Sequence, residues 1–174
     1  MATWWTEEFR LAGLLEALVA GGVDFVVVGG VAVIIQASPR FTKDLDICYA
    51  TTPENLQRLE NVLVDLGATL HGIEESLPFV PDARTLRGTQ ILCLATPEGR
   101  IDLLVDPAGA PPYPKLRERA DVVRIQDVEV RVASIDDLIA MKQAAGRDQD
   151  LRDITELELA RAGRGAEPNE AELS

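Results

Sequence analysis

Apolar residues fall along the first half of the chain with two periods. Between Glu7 and Ala20, the positions Phe9, Leu11, Leu14, Leu15, Leu18 and Val19 follow a helical repeat, which predicts an amphipathic helix ended by Gly21-Gly22. Val23 to Val28 is a short apolar run of strand length, and Val31 to Gln36 reads as a short helix ahead of Ser38-Pro39. From Asp44 to Tyr49 polar and apolar residues alternate, the period of a strand with one buried face. Pro53 to Leu66 predicts a second amphipathic helix, with proline near its start and Gly67 after its end, and Ala68 to Gly72 a short strand.

The second half is more broken. Residues 73 to 88 contain Pro78, Pro81 and Gly88 and read as a loop or lid, with Arg84 and Arg87 either available to phosphate or simply solvated. Ile91 to Ala95 and Arg100 to Val105 read as strands joined through Thr96-Pro97-Glu98-Gly99, a hairpin that would set Asp102 beside the Asp44 to Tyr49 strand. A proline-rich connection, Pro107 to Pro112, leads to a helix over Lys115 to Ala120. A second hairpin, Val122 to Ile125 and Val128 to Val132, turns at Gln126-Asp127. Ser134 is placed to cap a helix whose first turn carries Asp136 and Asp137, and a last helix runs from about Asp148 to Arg161. The whole reads as one α/β domain over residues 1–162, a small mixed sheet flanked by helices. Its core spans about 10–133, a short helical C-terminal portion about 134–161, and residues 163–174 form a disordered tail.

The chemistry is concentrated in two stretches. Val26-Val27-Val28-Gly29-Gly30-Val31-Ala32 is a strand running into a helix through two glycines, which permit close backbone approach and leave free N–H groups for an anion. Arg40-Phe41-Thr42-Lys43-Asp44-Leu45-Asp46-Ile47 follows, with two carboxylates one residue apart on the same face of a strand. Such neighbours repel unless a cation lies between them, and Mg²⁺ is the oxygen-preferring ion that carboxylates and substrate phosphates hold together. A third acid, Asp102 in Ile101-Asp102-Leu103, interrupts another apolar strand, where an unpartnered carboxylate is costly. Alone, a Gly-Gly pair is usually a turn and an Asp-x-Asp pair a solvated strand edge; together with Asp102 they point to a nucleoside triphosphate and its metal.

This arrangement resembles the nucleotidyltransferase superfamily that includes polymerase-beta-like enzymes: a strand, Gly-Gly or Gly-Ser, a gap, Asp-hydrophobic-Asp, then a later acid. The local form Arg40-x-Thr42-x-Asp44-Leu45-Asp46 is similar to the minimal and abortive-infection (AbiEii-type) toxin branch. So is the tail, Ser134 to Lys142 followed by Gly146-Arg147-Asp148-Gln149-Asp150-Leu151-Arg152-Asp153, and the likeness covers about residues 10–160. It implies transfer of a nucleoside monophosphate from a nucleoside triphosphate such as ATP to a hydroxyl. Asp44, Asp46 and Asp102 would be catalytic and would hold two Mg²⁺ ions, with Mn²⁺ as a substitute. Gly29, Gly30, Arg40, Thr42, Lys43, Lys142 and Arg147 would bind the nucleotide. Position 30 departs from the many members that carry serine there, leaving phosphate contact to the backbone. Lys142 and Arg147 also have a structural reading, as partners of the helix end and of Asp148 or Asp150. In the toxin branch the acceptor is an RNA end or a protein and an antitoxin protein is the partner; aminoglycoside-type relatives act on small molecules, and an inert binding module is the third reading.

Charge and composition narrow the partners. The chain of 174 residues is 47% hydrophobic and carries a formal net charge of −12, which argues against a large duplex nucleic-acid interface. No apolar run reaches membrane-spanning length, and the beginning lacks the basic and apolar regions of a signal peptide, so a cytoplasmic location is expected. Cys48 and Cys93 lie in strand-like runs and read as buried thiols, with Cys48 on the face of Asp44 and Asp46. His71, the one histidine, sits in a predicted turn, and Trp4 and Trp5 are expected to cover an apolar surface or partner.

Overall fold

A computed structural model of the chain describes residues 10–72 and 81–165. The expectations for Trp4, Trp5 and Phe9, for 73–80 and for the tail beyond 165 lie outside the described residues.

The first helix, α1 (Leu11–Ala20), buries Leu11, Leu14, Leu15 and Leu18, the stripe its periodicity predicts. Strand β1 (Phe25–Val28) runs directly into α2 (Gly29–Gln36), two residues earlier than the apolar pattern suggests. The reason is Gly29, whose φ of +66° turns the chain from strand to helix in a single residue. Strand β2 (Asp44–Tyr49) and helix α3 (Pro53–Asp65) follow, the latter with the Thr52 side chain accepting from the Asn55 N–H at its start. Asn55 is buried and ties two strand ends together: its Oδ1 accepts from the Asp24 N–H at 2.7 Å and its Nδ2 donates to the Ala50 carbonyl at 2.7 Å.

After the two-residue strand β3 (Thr69–Leu70), the segment read as a loop or lid contains a helix, α4 (Ala83–Gly88). The Asp82 side chain caps it, accepting from the Thr85 N–H at 2.8 Å. Its anchor is tertiary: Leu86 is fully buried and its carbonyl accepts the Tyr49 hydroxyl at 2.6 Å. The hairpin β4 (Ile91–Thr96) and β5 (Gly99–Leu104) is present, followed by α5 (Tyr113–Arg119) and the hairpin β6 (Asp121–Ile125) and β7 (Val128–Val132). Ser134 caps α6 (Ile135–Ala145) by accepting from the Asp137 N–H, and α7 (Asp148–Gly165) carries helix through Gly163, where the tail was expected to begin.

The strands form one seven-stranded mixed sheet in the order β3-β4-β5-β2-β1-β7-β6. β2 pairs parallel with β5 and β1 parallel with β7; the other pairs are antiparallel. All four residues of β1 are buried, so both of its faces are covered. In β4 and β5 only alternate residues are buried: Leu92, Leu94, Ile101 and Leu103 enter the core, while Ile91, Cys93, Asp102 and Leu104 occupy the other face. That half-covered face carries the acids. Among the described residues no helix is long and apolar enough to cross a membrane.

Candidate active site

Residues directly opposite in paired strands share a face of the sheet. The register therefore builds a row across three strands: Asp46 of β2 lies opposite Asp102 of β5, and Asp102 opposite Cys93 of β4. Asp44 starts β2 on the same face, one alternation earlier. Asp44, Asp46 and Asp102 form the floor of a cleft of about 690 Å³ whose lining also includes Gly29, Gly30, Arg40, Lys142 and Arg147.

The glycine turn sits against Asp46. A Cβ added to Gly29 would stand 2.2 Å from the Asp46 Oδ2, so the left-handed backbone and the close approach both exclude a side chain there. At Gly30 an added Cβ would meet the Thr42 Oγ1 at 2.9 Å and the Arg40 Nη2 at 3.2 Å. The Gly30 N–H, at the start of α2, donates to the Asp46 carboxylate. Thr42 is buried and braces the strand start, its Oγ1 lying 3.3 Å from the Asp44 carbonyl oxygen.

Charge in the cleft is unbalanced. Burial pushes the Asp46 carboxyl up to about 7, and the Asp44 and Asp102 carboxylates push in the same direction, against Lys142 and the Gly30 N–H. Asp102 is also raised, chiefly by burial, with the Cys93 thiol donating to it in opposition. Its Oδ1 is buried without a hydrogen-bond partner. As they stand, no three His, Cys, Asp or Glu side chains among the described residues are gathered closely enough to enclose an ion. The donor set nevertheless fits a hard divalent cation: carboxylates that repel one another, one with an oxygen that nothing satisfies.

The opposite wall is cationic and is anchored from below. Lys142 is 7% exposed, and its Nζ lies 2.9 Å from the Asp153 Oδ2 and 3.3 Å from the Asp150 Oδ1, both carboxylates buried in α7. Arg40 pairs with the same Asp153. Arg147 pairs with Asp150 through Nε at 2.9 Å, and its backbone N–H donates to that carboxylate at 3.0 Å. Burial alone raises the Asp150 carboxyl, but these donors and Lys142 hold it below its usual range. Three cations thus share two carboxylates, leaving positive charge beside the acids.

Of the residues singled out in the sequence, the structure gathers Asp44, Asp46, Asp102, Gly29, Gly30, Arg40, Lys142 and Arg147 around one cleft, with Thr42 directly behind Gly30. Lys43 does not line the cleft; its ammonium lies 5.6 Å from the ring centroid of Phe41. Arg84 and Arg87 lie on α4 and do not line the cleft. Arg100 approaches Asp44 at 3.7 Å. Lys142 and Arg147 pair with α7 carboxylates, as their structural reading has it, and both also line the cleft. Gln90 and Asp106 escaped the sequence reading, and Asp153 entered it only as part of the tail series, without a partner. Its spacing, three residues after Asp150, puts the two on one side of a helix, but nothing local to the segment shows that this side is buried. Cys48 is buried, free of disulfide, and its thiol is pushed up to about 12 by burial; Cys93 is also free.

Comparison with known proteins agrees with this fold. The fold is similar to the crystal structure of ANT(2'')-Ia in complex with adenylyl-2''-tobramycin, with 20% identity, a TM-score of 0.54, and 90% of this chain and 88% of that one covered. It is also similar to the lincosamide antibiotic adenylyltransferase LnuA with lincomycin bound, with 17% identity, a TM-score of 0.59, and coverage of 88% and 96%. No curated protein matches the chain in sequence. Residues 12–162 match the family described as "Nucleotidyltransferase of unknown function (DUF6036)", and the chain belongs to that nucleotidyltransferase family.

Proposed function

We propose that the protein transfers a nucleoside monophosphate from a nucleoside triphosphate to a hydroxyl group in a reaction dependent on divalent metal. The observation that carries this reading is the Asp46–Asp102 register pair lying under the Gly29–Gly30 turn. The turn and the helix start behind it offer backbone N–H groups to the phosphates. Arg40, Lys142 and Arg147 face the same space and oppose phosphate charge. Asp44, Asp46 and Asp102 would hold Mg²⁺, two ions in the fuller form of the reading, which when bound stabilise the attacking and leaving oxygens together. In the transfer the acceptor oxygen bonds to the α-phosphorus and the bond to the bridging oxygen of pyrophosphate breaks. The hydroxyl proton passes to the Asp102 carboxylate.

The motif Arg40-x-Thr42-x-Asp44-Leu45-Asp46 supports a toxin-type enzyme of the AbiEii-type branch, with an RNA end or a protein as acceptor and an antitoxin as partner. A small-molecule acceptor is the second reading, supported by the acidic cleft floor and by the net charge of −12, which repel a polyanion.

The test is transfer of label from each of four α-phosphate-labelled nucleoside triphosphates into cell extract with Mg²⁺, with Asp44→Ala as control. Label entering RNA, protein or small molecules only with the unaltered chain identifies donor and acceptor together. The variant is expected to lose on the order of a hundredfold to a thousandfold in rate. Equal labelling by the variant overturns the mechanism.

A further inference from the structure

In-line displacement fixes where an acceptor must lie. With the phosphates at the Gly29–Gly30 turn and the reacting phosphorus over Asp46, a hydroxyl attacks from the side of Asp102. The rest of the acceptor then extends over β5 and β4. The strand order β1-β2-β5-β4 sets these stations in a line across the sheet.

That end of the cleft has its own chemistry. Ile91 and Leu104 are register partners, one alternation along from Cys93 and Asp102, and both line the cleft. Ile91 is 60% exposed, an apolar side chain that the fold leaves uncovered on the face bearing the acids. Beyond Leu104 the rim is fixed by the Val105 N–H, which donates to the Gln90 carbonyl at 2.9 Å. Asp106 follows, lining the cleft, exposed, and in none of the ion pairs among the described residues.

Its backbone is unusual as well. Asp106 has φ of +47°, a conformation shared among the described non-glycine residues only with Gln126, at the turn of the β6–β7 hairpin. No hairpin explains Asp106. The loop after it is clamped to α6, since a Cβ on Gly109 would stand 2.4 Å from the Ala140 carbonyl oxygen. The carboxylate is therefore presented on a fixed rim, and strained positions of this kind concentrate at ligand sites.

We infer that this end of the cleft is an acceptor subsite for a small alcohol bearing a fixed positive charge and an apolar face. Asp106 supplies the counter-charge and the Ile91–Leu104 pair the apolar floor. An RNA end, with its phosphates, meets repulsion from Asp106 here. Leu138, Met141 and Ala145 on α6 also line the cleft and would offer a nucleobase separate apolar ground. The inference rests on the proposed transfer chemistry for its geometry, but its test reads charge selection alone.

The probes are choline and 3,3-dimethylbutan-1-ol, alcohols of the same shape that differ in charge, titrated against the full chain by nuclear magnetic resonance. Choline is expected to bind about fivefold more tightly, the preference one exposed carboxylate confers. It is expected to perturb amides of Ile91, Leu104 and Asp106. In Asp106→Asn, whose spectrum first establishes that it is folded, the two probes should bind alike. Equal binding by the unaltered chain, binding of neither probe, or a preference that survives Asp106→Asn overturns the inference. Loss of Mg²⁺-dependent ATP binding, measured separately with Asp44→Ala as reference, would instead count against the proposed function.

Discussion

Replacing Gly29 by alanine tests whether the glycine turn is a fitted part of the site or only a bend between β1 and α2. Two independent costs follow from its position. At φ of +66° an alanine carries the left-handed penalty, about 1–2 kcal/mol. Its Cβ would also stand 2.2 Å from the Asp46 Oδ2 and 2.8 Å from the Asp46 Cβ, so the strand residue and not only a flexible tip must move. Overpacking of that kind costs about 1–3 kcal/mol. The sum is roughly 3 kcal/mol, which at a urea slope of about 2 kcal/mol/M lowers the unfolding midpoint by about 1.5 M. Gly30→Ala is the internal control. Its φ is ordinary, and the nearest atoms are the Thr42 hydroxyl at 2.9 Å and the tip of Arg40 at 3.2 Å, which can yield. Its midpoint should fall by well under half as much. Both variants would be unfolded in urea, followed by circular dichroism, and their Mg²⁺-dependent nucleotide binding compared. Equal destabilisation by the two alanines, or undiminished nucleotide binding by Gly29→Ala, refutes the reasoning.

Three further outcomes are expected. Because the folded Asp46 carboxyl is raised from an ordinary 3.8 to about 7, ionising it opposes folding. The metal-free protein should lose stability as pH rises from about 4 to 7 and level off above, while Asp46→Asn lacks that loss and melts higher at pH 8 in a chelator. An identical pH dependence of the two thermal midpoints would show that the carboxylates do not oppose one another in the fold. Lys142→Met leaves two buried carboxylates with fewer partners and should cost on the order of 3 kcal/mol in urea unfolding. Asp150→Asn should destabilise the protein near neutrality but lose that effect below about pH 4, because the folded carboxyl is held below its usual range.

The acids of the site were legible because alternation constrains them. In Asp44-Leu45-Asp46-Ile47 a shift by one residue would bury both carboxylates, so period and chemistry specify one face, and β2 spans the residues its pattern predicts. The hairpins were legible for the same reason, and Ser134 from its position before an apolar repeat. What escaped depends on distant partners. Helix α4 is six residues long, too short to hold itself, and exists because Leu86 is buried and its carbonyl receives the Tyr49 hydroxyl. The burial of Asp150 and Asp153 could not be seen in a segment where charge outnumbers apolar side chains, since Lys142 and Arg40 come from elsewhere in the chain. Lys43 read as a phosphate ligand by proximity to Asp44, yet it precedes the strand and does not line the cleft.

The anchoring of Lys142 and Arg40 by α7 also orders events during synthesis. A ribosome releases β1, β2 and β5 first, so the three acids and the glycine turn can assemble while the last helices are still within the exit tunnel. At that stage the nascent chain has its negative floor but neither Lys142 nor the carboxylates that fix its position. The cationic wall is fixed in place only when Asp153 has emerged and docked against Lys142 and Arg40. A chain stalled or clipped before that point would keep the strands and the glycine turn while lacking α7, and with it the carboxylates that anchor Lys142 and Arg40.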